Sequence, residues 1–231
     1  MRALTLVAFV AACLSGSASA SERRIVDLEL VLAVDCSLSV NGREFNLQVS
    51  GIARALEDPA VVDAILSHGG VAVAVILWSN HLQQEIGVDW TLLHDRTSIA
   101  AFAGKVARMK RIVVSGATGL GPALAYAVKS IEENDFDGLR RVIDVSGDGQ
   151  NNMGIEPALV RDAAAARGIT VNGLAILDEE PWLDRYYLAN VIGGPGAFLE
   201  IASDFDAFAA AMRRKLLREI GRPSIARDLR R

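Results

Sequence analysis

The sequence predicts an α/β fold of the doubly wound kind: a mostly parallel six-stranded sheet with helices on both faces and one antiparallel edge strand. Three observations carry this. Short β-rich apolar runs alternate with segments whose apolar residues recur at helical spacing, the pattern of a parallel sheet built from strand–helix–strand units. Residues 71–78 are almost wholly apolar, as a strand covered on both faces should be. At 231 residues, 51% of them hydrophobic, the chain can bury a sizeable core without disulfides.

Each element follows from its local pattern. Residues 28–34 (Leu-Glu-Leu-Val-Leu-Ala-Val) read as the first strand. Residues 41–56 read as a helix with Phe45, Val49, Ile52 and Leu56 on one stripe. Residues 71–78 form the second strand, and the more polar residues 82–90, close behind, form its hairpin partner at the sheet edge. Helices are expected over 97–109 and 121–133, a strand over 141–146, a helix over 156–167 and a strand over 169–177. Residues 182–190 read as helical, and a short strand over 198–202 follows the turn Gly193-Gly194-Pro195-Gly196. The last helix is expected to open at Ser203, with Asp206 three residues on as in a capping box, and to bury Phe205, Phe208, Met212, Leu216 and Ile220.

Residues 1–20 read as a secretory signal peptide: Arg2, a short apolar run, and the small-x-small site Ala18-Ser19-Ala20. A rival reading takes Val10-Ala11-Ala12-Cys13 as a lipobox that would anchor the chain through Cys13. The apolar run is too short to span a bilayer. One domain is expected over 21–220, followed by a basic tail over 221–231 that reads as a solvated, disordered end. The location implied is secreted or periplasmic. Cleavage after Ala20 removes Cys13 and leaves Cys36 alone, so no intrachain disulfide forms, and Cys36 reads as a small buried hydrophobe. The net charge of -4 and the lack of a basic stripe point away from nucleic acid as a partner.

Asp35-Cys36-Ser37-Leu38-Ser39 stands directly after the first strand and puts one carboxylate and two hydroxyls on one loop. Two later segments complete a set of hard oxygen donors: the loop around Thr118 and the strand end Ser146-Gly147-Asp148-Gly149. Such donors suit Mg²⁺, Mn²⁺ or Ca²⁺. Following the chain up and down the sheet brings Asp35, Thr118 and Asp148 to its carboxyl end, where ligand sites of open α/β sheets lie. Other readings fail on residues. In an EF-hand loop from Asp144 the twelfth position would be Ile155, and the Thr118 loop lacks the Gly-Lys-Ser/Thr of a P-loop. His68, His81 and His94 lack ligand spacing and read as surface or loop residues. Ser37 and Ser39 could otherwise serve only as caps for the helix that follows.

With these three pieces the chain resembles the von Willebrand factor type A domain and its metal-ion-dependent adhesion site: Asp-x-Ser-x-Ser, a loop threonine, and Asp-Gly after the fourth strand. The stretches 141–149 and 190–198 look like a secreted bacterial subfamily of unknown function. The resemblance implies a Rossmann-like sheet and a divalent cation, Mg²⁺ first, held by Asp35, Ser37, Ser39, Thr118 and Asp148. It also implies a protein partner that offers a carboxylate to that ion. Leu38 departs from the glycine frequent at that place in the family. No acid/base or nucleophile motif is evident, so the chain is expected not to be an enzyme, with a metal-dependent hydrolase as the alternative. Asp178, Glu179 and Glu180 read first as a solvated acidic loop and second as a partner-selecting rim. Tyr186 and Tyr187 read as packing residues. Mass spectrometry of the exported protein checks the leader: a chain starting at Ser21 is expected, and a lipidated Cys13 would replace that reading.

Overall fold

The computed structural model describes residues 23–114 and 116–221. The expected signal peptide, the Cys13 alternative and nearly all of the basic tail lie outside the described residues. The elements run β1 (Arg24–Asp35), α1 (Gly42–Glu57), α2 (Pro59–Leu66), β2 (Val71–Trp78), β3 (Gln84–Leu93), α3 (Arg96–Ala107) and α4 (Leu120–Glu133). They continue with β4 (Phe136–Gly147), α5 (Pro157–Ala166), β5 (Ile169–Ile176), α6 (Leu183–Asn190), β6 (Leu199–Ala202) and α7 (Phe208–Ile220).

The six strands form one sheet in the order β3-β2-β1-β4-β5-β6, parallel except for β3. The expected fold class therefore holds. Strand order reverses between β1 and β4, and the register there pairs Ala33 with Val145 and Val34 with Ser146. The ends of these two central strands are thus level, and their next residues meet at one edge.

Alternation along β1 divides the core. Leu28, Leu30, Leu32 and Val34 pack with α1, α2, α3 and α7, while Val31 and Ala33 pack with α4, α5 and α6. Helices cover both faces, so the central strands carry few polar residues.

The differences from the sequence reading are local. A further helix, α2, follows α1 at once: Asp58 accepts a hydrogen bond from the Ala60 amide at 3.0 Å and Pro59 occupies the first turn. The edge strand is displaced toward Leu93, and β4 begins five residues early, because the polar segment from Phe136 pairs with the outer end of β1 at Arg24. The capping box at Ser203 is not formed. Ser203 bonds to Asp204, Asp204 accepts from the Ala207 amide at 2.8 Å, and Asp206 pairs with Arg43 at 2.7 Å. These contacts hold 203–207 as a turn, and the helix starts at Phe208. His81 and His94 are exposed, whereas the His68 ring is buried between Asp27, at 3.4 Å, and the Ile220 carbonyl, at 2.6 Å.

One buried polar cluster was not foreseen. Lys215 and Glu219, one turn apart on α7, are fully buried against Asp144 of β4 and Asn172 of β5. The Lys215 ammonium lies 3.0 Å from Asp144 Oδ1, a buried ion pair. The Asn172 amide donates to both oxygens of Glu219, at 2.9 and 2.7 Å. Burial pushes Asp144 up to about 7, with Lys215 opposing and Glu219 reinforcing the shift. Two acids and one ammonium in a dry core make Lys215 the member whose loss is worst tolerated. Lys215→Met is expected to cost about 3–5 kcal/mol in urea unfolding. Adding Asp144→Asn should recover part of that loss, which a merely steric role for Lys215 would not allow.

Candidate metal centre

The candidate centre is built on three loops that leave the carboxyl edge. The β1–α1 loop is held from several directions. Asp35 Oδ1 accepts from the Ser37 amide at 2.7 Å, and the Asp35 carbonyl accepts from Gln48 at 3.0 Å. The Arg111 guanidinium donates to the carbonyls of Cys36 and Ser37. The Leu38 amide donates to the Gly116 carbonyl at 2.8 Å, which ties this loop to the one bearing Thr118. A backbone fixed this way leaves the side chains of Asp35, Ser37 and Ser39 little freedom to move apart.

Four of the five expected residues form one chain of contacts. Ser37 Oγ and Ser39 Oγ lie 3.1 Å apart, and Ser39 donates to Asp148 Oδ1 at 2.8 Å. Asp35 and Ser37 are fully buried beneath, whereas Ser39, Thr118 and Asp148 line a cleft of about 420 Å³. Thr118 enters from the opposite wall: its Oγ1 lies 3.6 Å from where a side chain on Gly149 would begin. Its amide donates to Asn152 at 2.8 Å, its carbonyl accepts from the Asn152 amide at 3.0 Å, and Asn151 accepts from the Gly121 amide at 3.1 Å. Gly121 is required there, because a Cβ would fall 1.9 Å from the Ile155 carbonyl oxygen.

The electrostatics are unfavourable for bare carboxylates. Asp35 Oδ2 and Asp148 Oδ2 are buried and have no hydrogen-bond partner. Burial first, and Asp148 second, push Asp35 up to about 8. Burial pushes Asp148 up to about 6, with Glu179 and Glu44 adding to the shift. Behind them, a Cβ on Gly147 would lie 2.8 Å from both Asp35 Oδ2 and the Tyr187 hydroxyl. Glycine therefore keeps this space open, and the Tyr187 hydroxyl, also buried without a partner, borders it. Two orphaned acid oxygens in a cleft of hydroxyls fit a hard cation. Cys36 does not enter: its side chain packs in the core, and burial pushes its thiol up to about 12. Among the described residues no three His, Cys, Asp or Glu side chains converge on one point, so the donor set is rich in hydroxyls and poor in charge.

Some functional residues carried no clear sequence signal. Arg111 precedes Thr118 on the same α3–α4 connection but belongs to no motif, and its role appears only when that connection lies beside the first loop. Asn151 and Asn152 adjoin Asp148-Gly149 and were legible as neighbours of the motif. Tyr187 packs as expected, yet its hydroxyl lies against Asp35. Glu179 and Glu180 of the acidic loop line the cleft.

Solved structures share this architecture. Proximal thread matrix protein 1 from the mussel byssus superposes with a TM-score of 0.62 at 16% identity, covering 87% of this chain and 48% of its own. Another structure of that protein is described with a zinc-occupied MIDAS motif. A von Willebrand factor type A protein from Catenulispora acidiphila gives 0.60 at 17% identity over 84% of this chain and 43% of its own. The vWF domain of the type V pili tip protein Mfa5 from Porphyromonas gingivalis gives 0.61 at 11% identity, over 85% and 96%. The chain spans about half the length of the first two. No curated protein matches it in sequence. The sequence model of one family matches residues 25–224, and the chain belongs to that family, described as Protein of unknown function (DUF1194), here on a von Willebrand factor type A fold.

Proposed function

We propose that the cleft holds one divalent cation, Mg²⁺ before Mn²⁺ or Ca²⁺, through Asp35, Ser37, Ser39, Thr118 and Asp148, and offers that ion to a carboxylate of a protein partner outside the cytoplasm. The observation that carries this reading is the pair of buried, unpartnered carboxylate oxygens among hydroxyls at the strand-order reversal. A cation would supply the charge that burial otherwise denies both acids. With only two acids and neutral hydroxyls around it, the ion would stay electrophilic and accept an anionic oxygen from outside. Zinc is named for the mussel protein's motif, but no histidine or thiolate lines this cleft, so a hard ion is the better match here.

A thread matrix protein and a pilus adhesin among the similar structures support binding over catalysis. Among the described residues no helix is long and apolar enough to cross a membrane. The rival hydrolase needs a base beside the ion. Besides Asp148, the carboxylates lining the cleft are Glu179 and Glu180, and Glu180 is held by the Gln150 side chain at 2.8 Å.

Titration calorimetry should find one Mg²⁺ or Mn²⁺ site, lost in Asp35→Ala and weakened by about tenfold or more in Asn152→Ala, which only removes the brace on Thr118. The pH dependence follows from the raised acids. Their protonated forms stabilise the ion-free protein at pH 4 and below, and that contribution is lost as pH rises through about 6 and then 8. The ion-free melting temperature should therefore fall over this window, and Mg²⁺ should restore more at pH 8 than at pH 5. Asp35→Asn should remove the part due to Asp35 while leaving the parts due to Asp148 and Asp144. A second expectation is that the Mg²⁺-loaded protein does not turn over p-nitrophenyl phosphate; turnover abolished by Glu179→Gln would favour the hydrolase.

A further inference from the structure

The edge that carries the cleft also carries apolar side chains with nothing to cover them. Leu38 is 77% exposed, Leu82 75%, Val114 68% and Met153 39%. Isolated exposed leucines are common on any surface, but these stand on four loops that are tied together around Thr118. Besides the Leu38–Gly116 bond, the Gly119 amide donates to Ser79 at 2.8 Å and the Val114 amide donates to Gln83 Oε1 at 3.1 Å. The His81 ring meets the Met153 sulfur at 2.8 Å, and Asn152 is joined to Thr118 as described above. Leu38 itself lines the cleft with Ser39 and Thr118. Apolar side chains left in water are stabilised by burial, so this half of the edge favours an apolar partner.

The other half of the edge is acidic. Glu179 and Glu180 line the cleft from the β5–α6 loop, and Glu180 is pinned to Gln150. Asp178 and Glu44 stand nearby, the latter close enough to bear on Asp148. The described residues lining the cleft include no Lys or Arg beside Glu179 and Glu180, while Arg43 stands close enough to Glu44 and Asp178 to act on both.

Resting on the ion reading, we infer that this edge is a docking surface with two unlike halves, built for a protein loop in which an Asp or Glu stands between an apolar side chain and a Lys or Arg. The carboxylate meets the ion, the apolar neighbour lies over Leu38 and Leu82, and the basic neighbour faces Glu179 and Glu180. Charge complementarity selects this occupant over an anionic membrane, which the acidic half repels, and over a uniformly acidic protein surface.

Panning a cyclic-peptide phage library on the full chain in Mg²⁺, with elution by EDTA, tests the inference. Eluted clones should share an acid flanked by Leu, Ile, Val or Phe and by Lys or Arg. A synthetic peptide of that consensus should bind Leu82→Ser at least about tenfold more weakly, by burial of a leucine, while the Mg²⁺ titration of that variant stays unchanged. Glu179→Gln/Glu180→Gln should lose the preference for the basic flank. No EDTA-eluted clones, acids without apolar neighbours, or unchanged binding by the leucine variant would overturn the inference. So would Mg²⁺-dependent binding to phosphatidylserine/phosphatidylcholine vesicles that the leucine variant loses. If wild type gives no Mg²⁺ heat, the ion reading falls and this inference with it. A normal Mg²⁺ titration without apolar selection removes this inference alone.

Discussion

Two buried acids brought to one end of the sheet set the terms for the upper edge of this molecule. The pairing of β1 with β4 brings Asp35 and Asp148 to the same edge, and the sheet leaves no other strand between them. Each acid is buried and each keeps one oxygen without a partner. Such an arrangement is costly unless something positive or protonated relieves it. The surrounding loops are built to hold it in place nonetheless: Gln48 and Arg111 fix the backbone of the first loop, Asn152 fixes the second, and Gly147 keeps side-chain bulk from the space behind. Geometry maintained against an electrostatic cost is the usual mark of a functional site.

A second charged cluster shows the same physics in another role. Asp144, Lys215 and Glu219 lie on the opposite side of β4 from the α4 layer, and they join α7 to the middle of the sheet. Both clusters use alternate positions near the end of one strand: Asp144 points to the α7 face, while Gly147 opens toward Tyr187. The cluster inside the core has its own cation in Lys215. The one at the edge has Arg111 on the backbone of its first loop, while among the described residues no Lys or Arg lines the cleft above the two acids.

The upper surface then follows from what the loops carry. The carboxyl edge presents hydroxyls and acids at its centre, leucines and a methionine on the Thr118 side, and glutamates on the β5–α6 side. None of these features alters the fold. They sit on connections whose ends the sheet already places together, which is how a common architecture accommodates different partners.

Periodicity and composition alone determined the alternating elements, the mixed sheet with its antiparallel edge and the buried faces of the helices, because these depend on local spacing of apolar residues. Strand direction also placed Asp35, Thr118 and Asp148 on one edge, whereas the full set of five candidate donors came from the motif and its resemblance to the von Willebrand factor type A domain. Local pattern could not decide the start of α7, where Asp206 turns to Arg43 instead of capping a helix, or the register that extends β4 back to Phe136. It could not reveal Arg111 under the first loop, Tyr187 beside Asp35, or Lys215 between two acids. Those facts arise from contacts between residues tens to more than a hundred positions apart, and a contact of that kind exists only once packing brings the segments together.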